Sequence, residues 1–317
     1  MITVEHLTKY YGDHLAVDDI SFEISEGHVY GFLGPNGAGK STTMNIITGC
    51  LSATAGTVTV DGHDIFEEPN AAKRCIGYLP EHPPLYLSES VLEYLRFVGE
   101  VKGLKKQELE DQIDLVLEKT GTTEVQNRRI GDLSKGYRQR VGIAQALLGN
   151  PKVIILDEPT VGLDPIQIIE IRDLIKSLGK THTVIFSSHI LSEVQAICDQ
   201  ILMIAHGRLV AFGEPEALQR QLLTGQELLI RTDGSDEAVK AALGDLTPPV
   251  TPDITPEEGT ARCCVHIRTE GDMDTAAEQA ARSLVEHGLP VFELTQKKGS
   301  LEDIFLELTE QKEEAVS

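Results

Sequence analysis

The chain has 317 residues, enough for two domains or one large one, and its 41% of hydrophobic and 25% of charged residues are ordinary for a globular protein with a sizeable core. The formal net charge of -22 at pH 7 argues against nonspecific binding to nucleic acid or anionic lipid, because both are driven by basic patches. No run of 18 apolar residues occurs, so no segment is predicted to span a membrane.

The first part of the chain alternates between predicted strands and helices. Short apolar strands are predicted near residues 2–7, 20–24, 29–34 and 57–61, and helical spacing of apolar residues runs from about 88 to 148. Later strands are predicted over 152–156, 183–187, 200–205 and 208–212, with helices over 165–179 and 190–198. This alternation indicates an α/β fold with a parallel sheet and crossover helices in residues 1–215.

The C-terminal part of the chain has a different pattern. Residues 216–226 are predicted to be a linker, and residues 227–317 a small α+β domain. The strands predicted there cover 228–231, 262–268 and 291–294, the helices cover 276–287 and 301–308, and a proline-rich irregular loop covers 247–252.

A glycine-rich run between a strand and a helix carries the strongest chemical signal. Residues Gly34–Ser41 fit the phosphate-binding pattern G-x-x-x-x-G-K-[ST]. The glycines let the backbone approach phosphate oxygens, and the following helix presents its free N–H groups to the same anion. Lys40 is predicted to reach the β- and γ-phosphates, and the Ser41 hydroxyl to bind Mg²⁺. The residues predicted to surround the nucleotide are Gly34, Pro35, Asn36, Gly37, Ala38, Gly39, Lys40, Ser41 and Thr42.

Acidic residues and a histidine follow two later strands. The apolar strand Val153–Leu156 ends in Asp157 and Glu158. Asp157 is predicted to meet the Mg²⁺ held by Ser41, and Glu158 to face the attacking water as a general base. His189, which follows a second buried strand, can hydrogen-bond a γ-phosphate. Taken alone, the acids also fit a solvated turn and the histidine also fits a capping or surface position.

The ordered motifs resemble those of the ATP-binding subunit of ABC transporters over about residues 1–215. The matching segments are Tyr11 (the aromatic that stacks on adenine), Gly34–Ser41 (Walker A), Leu133–Tyr137 (the signature), Ile154–Asp157 with Glu158 (Walker B and the catalytic glutamate), Gly162–Asp164 (the D-loop) and His189 (the switch histidine). Two further segments, 77–86 and 301–309, are similar to cassettes of the ABC-2 exporter type, including those of gliding motility and of drug or polysaccharide export.

The resemblance implies a P-loop NTPase cassette with a parallel core sheet, an antiparallel β subdomain, a helical subdomain over about 88–148 and a small C-terminal accessory domain. It implies ATP hydrolysis with Mg²⁺, catalysed by Glu158, His189 and Lys40. It also implies a head-to-tail dimer with a second copy or a paralogous cassette. In that dimer Ser134 and Gly136 of one chain face the phosphate loop of the other, and Asp164 communicates between the two sites.

The partner implied by the resemblance is a multi-span permease at the cytoplasmic face of the membrane, which would receive a helix near Glu81–Tyr86. The usual signature has a second glycine where this chain has Lys135 and a glutamine where it has Tyr137, and the usual Q-loop glutamine is Glu81. Two alternatives remain open from sequence. One is a soluble cassette ATPase that acts on ribosomes or DNA, which the acidity disfavours; the other is a nucleotide-gated regulatory module without turnover.

Overall fold

The computed structural model describes residues 1–222, 226–244, 252–256, 262–269 and 273–297. The chain divides into two compact units, Met1–Pro215 and Glu216–Ser317. Among the described residues, no helix combines the length and the low polarity that crossing a bilayer requires. The predicted loop at 247–252 lies almost wholly, and the predicted helix at 301–308 wholly, outside the described residues.

The first unit contains alternating strands and helices. Its strands are β1 (Ile2–Tyr11), β2 (His14–Ile24), β3 (Val29–Leu33), β4 (Ala55–Val60), β5 (His63–Asp64), β6 (Ile76–Leu79), β7 (Val153–Leu156), β8 (Thr183–Ser188), β9 (Gln200–Ala205) and β10 (Arg208–Gly213). Its helices are α1 (Lys40–Ile47), α2 (Pro69–Arg74), α3 (Val91–Val101), α4 (Lys106–Thr120), α5 (Lys135–Leu147), α6 (Pro165–Leu178) and α7 (Leu191–Ile197), and α8 (Pro215–Leu222) follows at the unit boundary.

A six-stranded sheet forms the centre of this unit, in the order β10-β9-β3-β8-β7-β6. Strands β9, β3, β8, β7 and β6 are parallel, and β10 pairs antiparallel with β9 at one edge. Every residue of β3, β7 and β8 is buried, as expected for parallel strands covered on both faces. Because β3, β7 and β8 run parallel, their carboxyl ends lie at the same edge of the sheet. The phosphate loop, Asp157 and His189 follow these strands at that edge. The parallel α/β sheet predicted from sequence is confirmed.

A second, antiparallel sheet has the order β2-β1-β4-β5. Its short hairpin turns at Asp61 and Gly62, whose φ angles of 54° and 84° suit the type I′ turn that joins two antiparallel strands. The predicted strand at 20–24 was too short, since β2 begins at His14. Register shifts along the β1–β2 pair, together with a φ of 50° at Asp19, interrupt the alternation by which a strand is read from sequence.

Three helices with connecting 3₁₀ turns form the region predicted to be helical. Helix α3 begins at a capping box, in which the Glu93 backbone N–H donates to Ser90 Oγ (3.3 Å) and the Ser90 N–H donates to Glu93 Oε2 (2.9 Å). Helix α5 begins after Ser134 and ends where Lys102 Nζ donates to the carbonyl oxygens of Gln145 (2.9 Å) and Leu148 (2.7 Å). The cation therefore satisfies acceptors that a helix C-terminus leaves unpaired.

The second unit has α+β composition. After β11 (Gln226–Asp233) come α9 (Asp236–Gly244), β12 (Asp253–Pro256), β13 (Arg262–Thr269), α10 (Met273–Glu286) and β14 (Val291–Lys297). The sheet order is β12-β13-β11-β14 with antiparallel neighbours, which is the split βαβ arrangement. Apolar residues of both helices, among them Val239 and Leu284, pack in one cluster with the sheet residues Ile230 and Val265.

Candidate nucleotide-binding site

The phosphate loop joins the buried strand β3 to helix α1. Gly37 and Gly39 have φ angles of 81° and 105°, a conformation that favours glycine. A Cβ at Gly39 would lie 2.6 Å from the backbone oxygen of Ala16, so a side chain there would also clash with β2. Gly39 is the N-cap residue of α1 and has no side chain to cap it. The first N–H groups of α1 are therefore available to an anion.

A cavity of about 460 Å³ lies over this loop. It brings together Tyr11, the phosphate loop and the two catalytic candidates Glu158 and His189. Its lining residues are Tyr11, His14, Ala16, Asn36, Gly37, Gly39, Lys40, Ser41, Thr42, Glu81, Glu158, Val161 and His189. The Tyr11 ring is 49% exposed, so a face is available for stacking. His14, Ala16 and Val161 line the cavity without having been predicted from sequence. Gly34, Pro35 and Ala38 were predicted to surround the nucleotide but are not among the described residues that line it.

Lys40 is buried at the floor of the cavity. Its Nζ donates to the backbone oxygens of Gly34 (2.7 Å) and Pro35 (3.2 Å) and lies 3.4 Å from Glu158 Oε1. The Lys40 side chain is only 5% exposed, and a buried cation of this kind requires acceptors or a counter-charge. The loop carbonyls and Glu158 supply both, and they hold the charge beside the N-terminus of α1.

Asp157 lies at the end of β7, next to the start of α1. Ser41 Oγ donates to Asp157 Oδ1 (3.2 Å), and Ser187 Oγ donates to the same oxygen (2.6 Å). Hydroxyl and carboxylate oxygens are the ligands that Mg²⁺ prefers, and Mg²⁺ in phosphate sites usually takes only one or two protein ligands. The donor set of Ser41 and Asp157 therefore fits the metal that was predicted there.

Glu158 does not continue the extended backbone of β7. Its φ is 47°, an uncommon value for a residue other than glycine, and its N–H donates to Ser187 Oγ (2.7 Å). Its Oε2 lies 3.0 Å from His189 Nδ1, while its Oε1 faces Lys40. The two adjacent acids thus point to different partners, because the backbone turns sharply between them.

The signature and D-loop residues lie at other positions in the unit. Ser134 caps α5 by accepting from the Tyr137 N–H (3.4 Å), and Asp164 caps α6 by accepting from the Gln167 N–H (2.9 Å). A Cβ at Gly136 would lie 2.7 Å from the Gln167 side chain. Among the described residues, the lining of the 460 Å³ cavity does not include Ser134, Gly136 or Asp164.

Two of the three residues that depart from the family pattern, Glu81 and Lys135, line a neighbouring cavity. This second cavity, of about 370 Å³, is lined by Glu81 and Lys135 and shares Glu81, Glu158 and Val161 with the first. Tyr137, the other departure, donates its hydroxyl to Glu124, and this hydrogen bond raises the pKa of the phenol.

Sequence reasoning missed the polar residues that hold the site together. Ser187 contacts both Asp157 and Glu158, and Glu193 accepts from Thr160 (2.7 Å) and Ser188 (3.0 Å). The only signal in the sequence for these contacts is that Ser187 and Ser188 form a polar pair at the end of an otherwise apolar strand. A polar strand end alone does not show which residues it contacts.

A parallel sheet that brings a phosphate loop, an acidic strand end and a histidine to one cavity defines an ATP-hydrolysing cassette. The family model described as ABC transporter matches residues 17–161. The chain is 34% identical to the bacitracin transport ATP-binding protein BcrA of Bacillus licheniformis over 313 residues, and this alignment covers 97% of each chain. It is also 34% identical over 310 residues to the linearmycin resistance ATP-binding protein LnrL of Bacillus subtilis (strain 168), which covers 98% of each.

Solved structures of ATP-binding cassettes are also similar to this chain. The dimeric structure of a post-hydrolysis state of the ATP-binding cassette MJ0796, bound to ADP and Pi, matches with a TM-score of 0.61 and 26% identity over 68% of this chain and 98% of that one. The chain belongs to the ABC transporter family, as an ATP-binding subunit that hydrolyses ATP. The family resemblance, the cassette fold and the ATPase activity predicted from sequence are confirmed.

Proposed function

We propose that the chain powers an ABC-2 type exporter by ATP-driven closure of a cassette dimer, at the cytoplasmic face of the membrane. The observation that carries the proposed dimer is that the predicted nucleotide contacts of one chain lie in two separate places. Lys40, Glu158 and His189 share the 460 Å³ cavity, whereas Ser134 and Gly136 lie outside its lining within the described residues. A second copy, or a paralogous cassette, would bring its own Ser134 and Gly136 to the nucleotide.

Within the site each side chain has a separate task. The N–H groups of the phosphate loop and Lys40 bind the β- and γ-phosphates, and the exposed ring of Tyr11 stacks on the adenine. Glu158 positions and deprotonates the attacking water, and His189 holds the γ-phosphate. Ser41 and Asp157 would hold Mg²⁺, which supplies charge neutralisation on the phosphate oxygens when it is bound. Loss of the γ-phosphate removes the charge that joins the two chains, and Asp164 links the two sites across the interface.

The dimer is tested with the Glu158→Gln variant, which keeps the shape of the site but removes the base. We expect it to bind ATP, to hydrolyse it at least a hundredfold more slowly than the wild type, and to elute as a dimer with ATP. Lys40→Ala, which removes the phosphate contact, should lose ATP affinity by calorimetry and remain monomeric.

A signature variant distinguishes a head-to-tail dimer from any other. Adding Ser134→Arg to Glu158→Gln places a bulky cation at the N-terminus of α5, outside the chain's own cavity. ATP affinity should persist while the dimer is lost. Dimers that form as readily with Ser134→Arg would contradict the proposed arrangement, and a Glu158→Gln variant that hydrolyses ATP normally would contradict the assigned base.

An exposed aromatic cluster formed by Tyr86 and Phe97 is the proposed contact for the permease. Tyr86 and Phe97 are 49% and 46% exposed, their ring centroids are 5.4 Å apart, and Val101 on the same helix as Phe97 is 71% exposed. Exposed apolar clusters of this kind mark interaction sites. The full-length likeness to BcrA, a bacitracin transport protein, and to LnrL, a linearmycin resistance protein, supports a permease and an export role.

This contact is tested by co-expression with a candidate permease, namely any multi-span membrane protein that a neighbouring open reading frame encodes. The double variant Tyr86→Ser with Phe97→Ser should leave the membrane fraction, while its ATPase rate in isolation stays within about twofold of the wild type. Val285→Ser, at an apolar residue of the second unit that is 62% exposed, is the control. Membrane association that survives the double variant would contradict this docking surface.

A further inference from the structure

Glu193 is a buried carboxylate to which the proposed mechanism assigns no role. It lies in the first turn of α7 and is 1% exposed. Its Oε2 accepts from Thr160 Oγ1 (2.7 Å) and Ser188 Oγ (3.0 Å), and its Oε1 lies 3.4 Å from an Arg172 guanidinium nitrogen. A buried charge requires paired and hydrogen-bonded partners, and Glu193 has both kinds.

The three partners belong to three different segments of the first unit. Thr160 lies in the Glu158 loop (residues 158–164), two positions after Glu158. Ser188 is the last residue of β8, where the His189 loop (residues 188–190) begins, and its Oγ also accepts from the Ile190 N–H (3.0 Å). Arg172 is on α6, whose N-cap is Asp164. One carboxylate thus joins the Glu158 loop, the His189 loop and α6.

The two loops that Glu193 contacts hold Glu158 and His189 in an arrangement that tolerates little displacement. Glu158 has a φ of 47°, and such a backbone conformation persists only where its surroundings fix it. His189 Nδ1 must also stay within hydrogen-bond distance of Glu158 Oε2, now 3.0 Å away. The two side chains come from different strands, so their separation depends on how firmly the Glu158 loop and the His189 loop are held together.

We propose that Glu193 is a positioning residue for ATP hydrolysis. It does not line the 460 Å³ cavity in the described part of the chain, and it acts by fixing the Glu158 loop against the His189 loop. The inference rests on the proposed roles of Glu158 and His189. Small displacements of catalytic groups reduce turnover strongly while leaving the nucleotide contacts of the phosphate loop in place.

The test is a double-mutant cycle on steady-state ATPase kinetics, with ATP affinity measured by calorimetry. Glu193→Ala and Thr160→Val should each lower kcat on the order of tenfold or more, with KM and ATP affinity within about twofold of the wild type. The double variant should be no slower than Glu193→Ala alone, because both changes break the same hydrogen bond. Ile65→Ala, which removes buried volume from a core cluster of the first unit that includes no described residue of either loop, is the control for lost stability.

Any of three results would overturn the inference. The loss of kcat could equal that of Ile65→Ala, it could come with a matching loss of ATP affinity, or the losses of the two single variants could add in the double variant. Thr160→Val removes only one hydroxyl, so it keeps the test valid if Glu193→Ala folds poorly. The Glu158→Gln variant separates the two proposals. If Glu158→Gln is inactive while Glu193→Ala and Thr160→Val turn over normally, only the positioning role fails; if Glu158→Gln hydrolyses normally, the assigned base fails.

Discussion

His189 Nδ1 lies 3.0 Å from Glu158 Oε2, although the two residues follow different strands and are 31 positions apart in the chain. The contact assigns the two ring nitrogens different tasks. With Nδ1 directed at a carboxylate, Nε2 is the nitrogen left to contact a phosphate. In the proposed mechanism, His189 would therefore connect the general base to the γ-phosphate.

Replacing His189 with alanine should reduce kcat by about a hundredfold or more, because Glu158 loses its orienting partner and the γ-phosphate loses a contact. ATP affinity should fall much less, since the phosphate loop remains. A steady-state ATPase assay with calorimetry checks both quantities. His28→Ala, at an exposed histidine outside the cavity lining, is the control. Normal turnover in His189→Ala would remove the histidine from the mechanism.

Ser187→Ala should weaken both the fold and the reaction. The hydroxyl accepts from the Glu158 N–H (2.7 Å) and donates to Asp157 (2.6 Å), so its removal leaves two buried groups without that partner. We expect the free energy of unfolding to fall by about 1–3 kcal/mol. We also expect kcat to fall on the order of tenfold, because both acids lose a support. Urea unfolding and an ATPase assay check these values, with Ser177→Ala on the exposed face of α6 as the control. An unchanged kcat would show that Ser187 does not position the acids.

The sequence alone was sufficient to predict candidate functional residues wherever these residues are neighbours in the chain. Gly34–Ser41 and the pair Asp157–Glu158 could be predicted because their residue types and spacing are themselves the signal. The contacts of Ser187 could not be predicted. They join residues about 30 positions apart, and they depend on the parallel register that places Leu156 of β7 beside Phe186 of β8.

The missed elements have weak local patterns. Strand β6 has four residues with Gly77 in its interior, and its strand conformation depends on pairing with β7. Helices α2 and α9 are short, with six and nine residues, and they gain their stability from tertiary packing. Periodicity over so few residues does not separate a helix from a loop.

Gly77→Ala should destabilise the first unit. A Cβ at this position would lie 2.2 Å from the backbone oxygen of Ala146 in α5, and backbone cannot move aside as a flexible side chain can. Overpacking of this kind costs about 1–3 kcal/mol of unfolding free energy. The chain has no tryptophan, so circular dichroism in urea is the suitable measurement. Gly244→Ala, where the new Cβ meets open space, should not destabilise the protein. Equal stability of Gly77→Ala and the wild type would contradict the close approach of β6 and α5.

His182 should make the protein less stable at mildly acidic pH. Burial lowers the pKa of this histidine, whose Nδ1 lies 2.9 Å from the Pro151 carbonyl oxygen. The folded ring then stays neutral at a pH where the unfolded chain has already bound a proton. Because the unfolded state binds more protons, the free energy of unfolding should fall as pH falls through about 6.5, the ordinary histidine value.

The measurement for His182 is urea unfolding followed by circular dichroism at several pH values between about 5 and 8. His182→Gln keeps a donor for Pro151 but cannot bind the proton, so its stability should depend less steeply on pH than that of the wild type. His28→Gln, at an exposed histidine, should keep the wild-type slope. If His182→Gln also keeps that slope, the acid sensitivity must come from other groups, since removal of the buried imidazole would then have left proton uptake on unfolding unchanged.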